Sequence, residues 1–156
     1  MTRPRPTPYN YALNLLAARP YASRALHRKL IQKEYPAADA EEAIRRLVDN
    51  GLLNDAKYAE QYARSKITMT GVSKRRLQQD LFRKGIKADV ATHAIAAVLE
   101  DEEIDPAVVI ERVAKKKLAQ LGGLEPLVLR RRLFAFLARR GYYVDEIKGV
   151  VSRLTS

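Results

Sequence analysis

The chain has 156 residues and a formal net charge of +11, from 29 Lys and Arg against 18 Asp and Glu. Such a surplus favours a polyanionic partner, either nucleic acid or an acidic protein surface, and a merely soluble basic protein is the alternative. The absence of cysteine excludes disulfides and thiolate metal sites. No apolar run approaches the ~20 residues that a membrane-spanning helix needs, and the start lacks the apolar core of a secretory signal. We therefore expect a cytoplasmic protein without a membrane partner.

A pattern of apolar and basic residues recurs three times along the chain. The second copy follows the first by 51 residues, and the third follows the second by 56. The matched sets are Leu26, Leu30, Lys33, Ala40, Ile44 and Leu47; Leu77, Leu81, Lys84, Ala91, Ile95 and Val98; and Leu133, Leu137, Arg140, Ile147, Val151 and Leu154. Self-similarity at this spacing usually means that one supersecondary unit is repeated. The sequence predicts an elongated all-α protein of three tandem three-helix, helix-turn-helix-like repeats.

The first repeat is predicted over residues 9–53, after a flexible N-terminal tail over 1–8. Alternate prolines in the tail favour extended backbone and disfavour a helix. Asp39 is the predicted N-cap of the third helix, with Glu42 completing a capping box, and Gly51 supplies the left-handed residue that ends the helix. From the apolar periodicity, the three helices are expected at roughly 9–18, 23–34 and 40–50.

The second repeat is predicted over residues 54–104. Its first helix begins at Asn54 or Asp55, because either side chain can accept a hydrogen bond from the free amides of the first turn. Tyr58 and Tyr62 lie four residues apart on this helix. Packing between helices is the expected role of the two rings, and stacking on nucleic-acid bases is the alternative.

The second helix of this repeat is expected to begin at Ser73 as N-cap and to continue through Arg83, and Asp89 starts the third. An acidic run at 100–103 follows. It is predicted to be a solvated break between repeats, and an intramolecular mimic of phosphate is the alternative interpretation.

The third repeat is predicted over residues 105–156. Asp105 caps its first helix, and the proline that follows suits the first helical position. Asp145 stands at the start of the last helix, as Asp89 does in the second repeat. Of the adjacent Tyr142 and Tyr143, we expect one ring to pack against the protein and the other to be exposed.

These features together resemble the RecX family of bacterial RecA regulators. The resemblance rests on the three tandem repeats and on the segments GLLNDAKYA (51–59), GVSKRRL (71–77) and LFRKGI (81–86). It covers residues from about 9 to 154 and is most specific in the central repeat. The first repeat departs from the pattern, with Glu34-Tyr-Pro where Lys-Gly is expected. The resemblance implies a curved, all-helical protein that binds RecA, and DNA, and suppresses the activity of the RecA filament.

The candidate contacts with RecA or DNA are basic side chains clustered on predicted helices. Three consecutive residues on a helix fan through about 200°, so each basic triplet has at least one side chain directed away from the core. Such side chains can neutralise phosphates, and a solvated helix face whose long stems cover apolar surface is the alternative. The candidates are Lys74, Arg75, Arg76, Arg83, Lys84, Lys115, Lys116, Lys117, Arg130, Arg131, Arg132, Arg139 and Arg140.

The sequence gives little support for an enzyme. His27 and His93 lie in different repeats, and neither has a partner at metal-ligand spacing. The chain carries neither a Gly-rich phosphate loop nor a complete nucleophile elbow. No catalytic residue, metal site or cofactor is therefore assigned.

The first functional hypothesis follows the resemblance. It is a monomeric, non-enzymatic regulator that binds RecA and its filament on single-stranded DNA and inhibits filament extension, ATPase, strand exchange and coprotease activities. Recombination, DNA repair and the SOS response are the processes implied. The alternative is a stand-alone helical repeat protein that binds single- or double-stranded DNA non-specifically, since the predicted third helices carry few base-reading side chains. An adaptor for another acidic protein fits the charge equally well.

Overall fold

The structure is a computed structural model that describes residues 3–156. The first two residues of the predicted tail lie outside the described part. Within residues 3–156 there are nine α-helices and no strand. They are α1 (Pro8–Ala18), α2 (Ser23–Gln32), α3 (Ala37–Asp49), α4 (Asp55–Met69), α5 (Lys74–Arg83), α6 (Ala88–Asp101), α7 (Pro106–Gln120), α8 (Pro126–Arg139) and α9 (Val144–Thr155). The predicted all-α fold of three tandem three-helix units is confirmed.

A pair of leucines four residues apart anchors the core of each unit. Both members of every pair are fully buried, on the inner face of the second helix of the unit. The pairs are Leu26 and Leu30, Leu77 and Leu81, and Leu133 and Leu137. Burying a leucine side chain contributes roughly 1.5–3 kcal/mol. The cores also meet, because Ala22 of the first unit and Val109 of the third pack in the core of the second.

Three of the predicted helix caps are confirmed. The side-chain oxygens of Asn54, Ser73 and Asp105 each accept a hydrogen bond from a backbone N–H two or three residues later, at 2.9–3.1 Å. Each bond satisfies one of the amide groups that the first turn of a helix leaves without an intrahelical partner. Asp55, the other candidate at the first of these positions, instead accepts hydrogen bonds from Ser23 at the junction with the first unit.

The predicted starts of the third helices are wrong by one to three residues. Asp39, Asp89 and Asp145 lie inside the first turns of α3, α6 and α9, where a carboxylate still interacts favourably with the helix dipole. The reason is the short turn before each helix, in which one anchoring side chain is buried and the next residue takes the N-cap position. The buried residues are Tyr35, Ile86 and Tyr142.

The turn between the second and third helices packs against the preceding unit. One residue of each turn has a positive φ, namely Glu34 (66°), Gly85 (84°) and Gly141 (93°). A β-carbon at Gly85 would overlap the side chain of Arg24 in the first unit, and one at Gly141 would lie 2.6 Å from Oγ of Ser73 in the second. Glycine is required where a unit precedes the turn. In the first unit, the residue with positive φ at this turn is Glu34.

The segment before α1 covers the corresponding turn of the first unit. The guanidinium of Arg5 donates to the carbonyl of Lys33, and its Cζ lies 4.0 Å from the centre of the Tyr35 ring. The hydroxyl of Tyr35 donates to the carbonyl of Pro6 at 2.7 Å. At the turn of the third unit, Arg76 of the preceding unit likewise donates to a backbone carbonyl, that of the last residue of α8. The N-terminal segment thus takes the place that a preceding unit occupies elsewhere.

Candidate binding surface

The junction between the second and third units is held by side chains that bind backbone carbonyls. The hydroxyl of the buried Tyr142 donates to the carbonyl of Gly71 at 2.6 Å. Nη1 of Arg140 donates to the carbonyl of Thr70 at 2.6 Å, and Oγ of Ser73 donates to the carbonyl of Arg140 at 3.2 Å. The first two bonds satisfy carbonyls at the C-terminal end of α4, which has no further helical turn to supply donors.

This junction is predicted to depend on pH. Burial raises the pKa of the Tyr142 phenol to about 12, whereas an exposed tyrosine titrates near 10. The folded protein therefore keeps the proton at pH values where the unfolded chain has released it. The stability that the protonated hydroxyl contributes is complete below about pH 10 and is lost as the pH rises from about 10 to 12.

We expect Tyr142→Phe to lower the free energy of unfolding by about 1 kcal/mol at pH 8, because the carbonyl of Gly71 loses its donor. The difference in the free energy of unfolding between wild type and variant should shrink as the pH rises from about 10 to 12. Urea denaturation of both proteins at each pH measures it, and subtraction removes the titration of the other tyrosines and lysines. A difference that stays constant across this range would contradict the assignment.

A basic cleft of about 440 Å³ opens beside the same junction. Arg112, Lys116 and Lys117 line it from α7, and Arg140 lines it from the end of α8. Nζ of Lys117 and Cζ of Arg140 both lie 4.9 Å from the centre of the Phe136 ring, in cation–π geometry. No Asp or Glu is among the described residues that line this cleft. We call it the second junction cleft, and its four converging cations focus a positive potential.

A smaller basic cleft of about 200 Å³ lies between the first and second units. Its cations are Arg19, Arg28, Arg83 and Lys84, and again no carboxylate belongs to its described lining. Cζ of Arg19 lies 4.0 Å from the centre of the Tyr21 ring, in cation–π geometry, and both residues line the cleft. We call it the first junction cleft. The two unit junctions thus each carry a concave group of four positive charges.

The clefts bring together five of the sequence-predicted candidates and leave the others outside. The five are Arg83, Lys84, Lys116, Lys117 and Arg140. Three cleft arginines were missed, because none belongs to a run of three basic residues and the prediction followed such runs and the basic pairs after them. They are Arg19, Arg28 and Arg112.

The remaining candidates are divided between structural contacts and exposed surface. Arg76 bonds Asp80 and the end of α8, both at 3.2 Å, and so helps to join two units. Arg130 donates to the carbonyl of Thr155 at 3.0 Å, and Lys115 lies 3.5 Å from a carboxylate on its own helix. The exposed candidates outside both clefts are Lys74, Arg75, Arg131, Arg132 and Arg139.

The tyrosine predictions are confirmed. The rings of Tyr58 and Tyr62 stack with centroids 6.5 Å apart and pack against the core of the second unit. Tyr142 is buried, whereas Tyr143 is 57% exposed. Packing therefore uses three of these four rings and leaves one at the surface.

The acidic run at 100–103 is exposed, as predicted, but Glu100 and Asp101 form the end of α6 and only Glu102 and Glu103 lie between α6 and α7. Nε of Arg64 on α4 binds Glu102 at 2.9 Å, which holds the run against the second unit. Among residues 3–156, no cluster of three or more His, Asp or Glu could hold a metal ion. None of the described helices is long and apolar enough to cross a membrane.

Comparison with known proteins identifies the family of this chain. Models of the first, second and third three-helix domains of RecX match residues 9–47, 54–95 and 107–151, respectively. The chain belongs to the RecX family. The three matched segments correspond to the three units of the structure and together cover most of its length.

Curated relatives in this family are named regulatory proteins. Regulatory protein RecX from Actinobacillus pleuropneumoniae serotype 5b (strain L20) is 36% identical over 140 residues, which cover 90% of this chain and 87% of the relative. Regulatory protein RecX from Mycobacterium sp. (strain KMS) is 38% identical over 144 residues, which cover 91% of this chain and 78% of the relative. Membership of this family therefore indicates a regulatory role for the chain.

Solved structures confirm the fold. The crystal structure of RecX from Lactobacillus salivarius aligns with a TM-score of 0.79 at 23% identity, over 94% of both chains. A crystal structure of regulatory protein RecX aligns with a TM-score of 0.77 at 19% identity, over 92% of this chain and 69% of the other. At these identities the likeness concerns the three-unit architecture alone.

Proposed function

We propose that this RecX-family chain is a non-enzymatic regulator that binds RecA and its filament on single-stranded DNA. It inhibits filament extension, ATP hydrolysis, strand exchange and coprotease activity. Family membership supports regulation, and the resemblance described above supplies RecA as the partner. The observation that carries the proposal is the repetition of a four-cation cleft at both unit junctions, because a repeated polyanionic partner matches a repeated basic site.

Two linked weak sites suit a filament better than an isolated macromolecule. A filament presents acidic groups and phosphates at regular intervals, so contact at one cleft raises the effective concentration for contact at the other. Neighbouring protomers bridged in this way lose the relative motion that extension and ATP turnover require. Inhibition therefore needs neither a catalytic group nor one strong contact.

The alternative function is non-specific DNA binding by a stand-alone repeat protein. The same clefts favour it, because cations neutralise phosphates whatever the base sequence. The exposed polar side chains on the middle of α6 are few, essentially Thr92 and His93, which argues against sequence-specific readout by a helix-turn-helix. In both cases we place the protein in the cytoplasm as a monomer, and in the first case in recombination, DNA repair and the SOS response.

ATP hydrolysis by RecA separates the two functions. RecA is assembled on excess single-stranded DNA, and this chain is titrated to concentrations well below that of RecA at fixed salt. We expect progressive inhibition that added free DNA does not relieve. Inhibition that begins only when the DNA itself is saturated would contradict filament regulation and favour the alternative.

A further inference from the structure

An exposed aromatic ring lies at the centre of the molecule on the outer face of α5. Phe82 is 72% exposed, although the residue before it, Leu81, is fully buried. Arg75, Gln78 and Phe82 lie at helical spacing and therefore share one solvent-facing stripe. A large apolar side chain placed on such a stripe contributes nothing to the core and loses favourable burial, so packing does not explain it.

The stripe forms one wall of a groove of about 700 Å³ between α5 and α6. Arg75 and Arg83 line the groove together with the amides of Gln78 and Gln79, and Phe82 lies among them. The described lining contains no carboxylate. Asp80 lies outside the lining, and its Oδ1 is 3.4 Å from Nη1 of Arg83. The groove thus combines one aromatic face with cations and neutral hydrogen-bonding groups.

Only the middle unit carries this arrangement. The residues that match Phe82 in the repeat are Ile31 in the first unit and Ala138 in the third. The aromatic ring is therefore not part of the repeated architecture, which the other two units build without it. Its position is specific to the middle unit and to the groove.

We propose that this groove binds unpaired nucleotides of single-stranded DNA. A base stacks on the ring of Phe82, the guanidinium groups of Arg75 and Arg83 contact the neighbouring phosphates, and the amides of Gln78 and Gln79 face the base edge. Every base has a stacking face, so the site tolerates any sequence. The proposal rests on the proposed function and deepens it, because it gives the chain a preference for single strands over duplex.

The preference follows from the availability of base faces. In a duplex both faces of a base are covered by neighbouring base pairs. No base face is therefore available to stack on the ring of Phe82. The arginines bind the phosphates of either form. Removal of the ring should therefore weaken binding to single strands and spare binding to duplex.

Tryptophan fluorescence reports the stacking directly. The chain contains no tryptophan, so Phe82→Trp introduces a single indole at the proposed contact. We expect oligothymidylate to quench its emission, and duplex DNA of equal length to quench it far less. Leu127→Trp is the matched control, since Leu127 is 61% exposed on α8, outside the groove. Equal quenching of the two variants, or none in Phe82→Trp, would overturn the proposal.

Affinity gives a second, independent test. Phe82→Ala should weaken binding of oligothymidylate by about 5- to 100-fold and change duplex binding by less than about twofold. The salt dependence of single-strand binding should not change, because no phosphate contact is removed. Arg75→Ala should weaken both forms and reduce the salt slope. Wild-type affinity of Phe82→Ala for oligothymidylate, or equal wild-type affinity for single strand and duplex, would overturn the proposal.

The RecA assay distinguishes this site from the regulatory function. If Phe82→Ala inhibits RecA poorly while it binds oligothymidylate as well as wild type does, the groove contacts protein and the nucleotide proposal is wrong. If wild type fails to inhibit RecA but Phe82→Trp is quenched by single strands, the regulatory function fails and the nucleotide site stands.

Discussion

Replacement of Gly141 by alanine should lower the free energy of unfolding by about 3 kcal/mol or more. Gly141 has a φ of 93°, which an L side chain adopts only with strain. A β-carbon there would lie 2.6 Å from Oγ of Ser73 and 2.8 Å from Cβ of Arg76. Neither neighbour can withdraw freely, because Ser73 caps α5 and Arg76 binds the end of α8. Urea denaturation followed by circular dichroism measures the loss.

Gly123→Ala is the matched control for this variant. Gly123 has a similar φ of 86°, and a β-carbon there would meet nothing within 4 Å. The control therefore loses about 1 kcal/mol through backbone strain alone. The difference between the two variants is the steric contribution of the unit junction. Equal losses would contradict the conclusion that close packing between units, and not only the turn conformation, requires glycine.

Charge reversal in the second junction cleft should weaken binding to RecA-coated single-stranded DNA by about 100-fold or more. The variant combines Arg112→Glu, Lys116→Glu and Lys117→Glu. Each substitution removes a cation that faces the cleft and adds a charge that repels phosphates and carboxylates alike. Arg140 is left in place because it donates to the carbonyl of Thr70 at 2.6 Å and stabilises the junction. Arg112 donates to the carbonyl of Ile67 at the longer distance of 3.3 Å, so urea denaturation of the variant checks that the junction stays folded without this bond. Fluorescence anisotropy on preassembled filaments measures the affinity.

A second triple variant with the same change in net charge controls for long-range electrostatics. Lys29, Lys87 and Lys148 are exposed and line neither junction cleft. We expect their replacement by glutamate to weaken filament binding much less than reversal in the cleft. If the two triples lose the same affinity, net charge alone governs binding, and the clefts have no special role.

The sequence predicted the units well because their determinants are local and periodic. Leucines four residues apart mark the buried face of each second helix, and a glycine after a basic residue marks the end of α5 and of α8. The starts of the third helices were misplaced because the side chains that fix them act through tertiary packing. Tyr35 and Tyr142 are buried in the turns, and no side chain at the N-cap of α3 accepts a hydrogen bond that would mark its start.

The binding surface was harder to predict than the fold. Arg19 and Arg28 are far in sequence from Arg83 and Lys84, which they join in space, so the sequence gives no signal for them. Arg112 did have a signal, because it lies four residues before Lys116 on α7 and so shares a helix face with it. The exposure of Phe82 did have a signal, because one residue along a helix from the buried Leu81 turns about 100° away from the core. The positive φ of Glu34 required the structure, because glutamate is not a residue that marks a left-handed position in a sequence.

The most direct test of the account is a comparison of filament with naked DNA. The chain has no cysteine, so Ser156→Cys provides one site for a fluorophore at the exposed C-terminal residue. Its affinity is measured for RecA filaments on a single-stranded oligonucleotide and for the same oligonucleotide alone, at the same salt concentration. The account predicts tighter binding to the filament. Equal or tighter binding to the naked strand would contradict it.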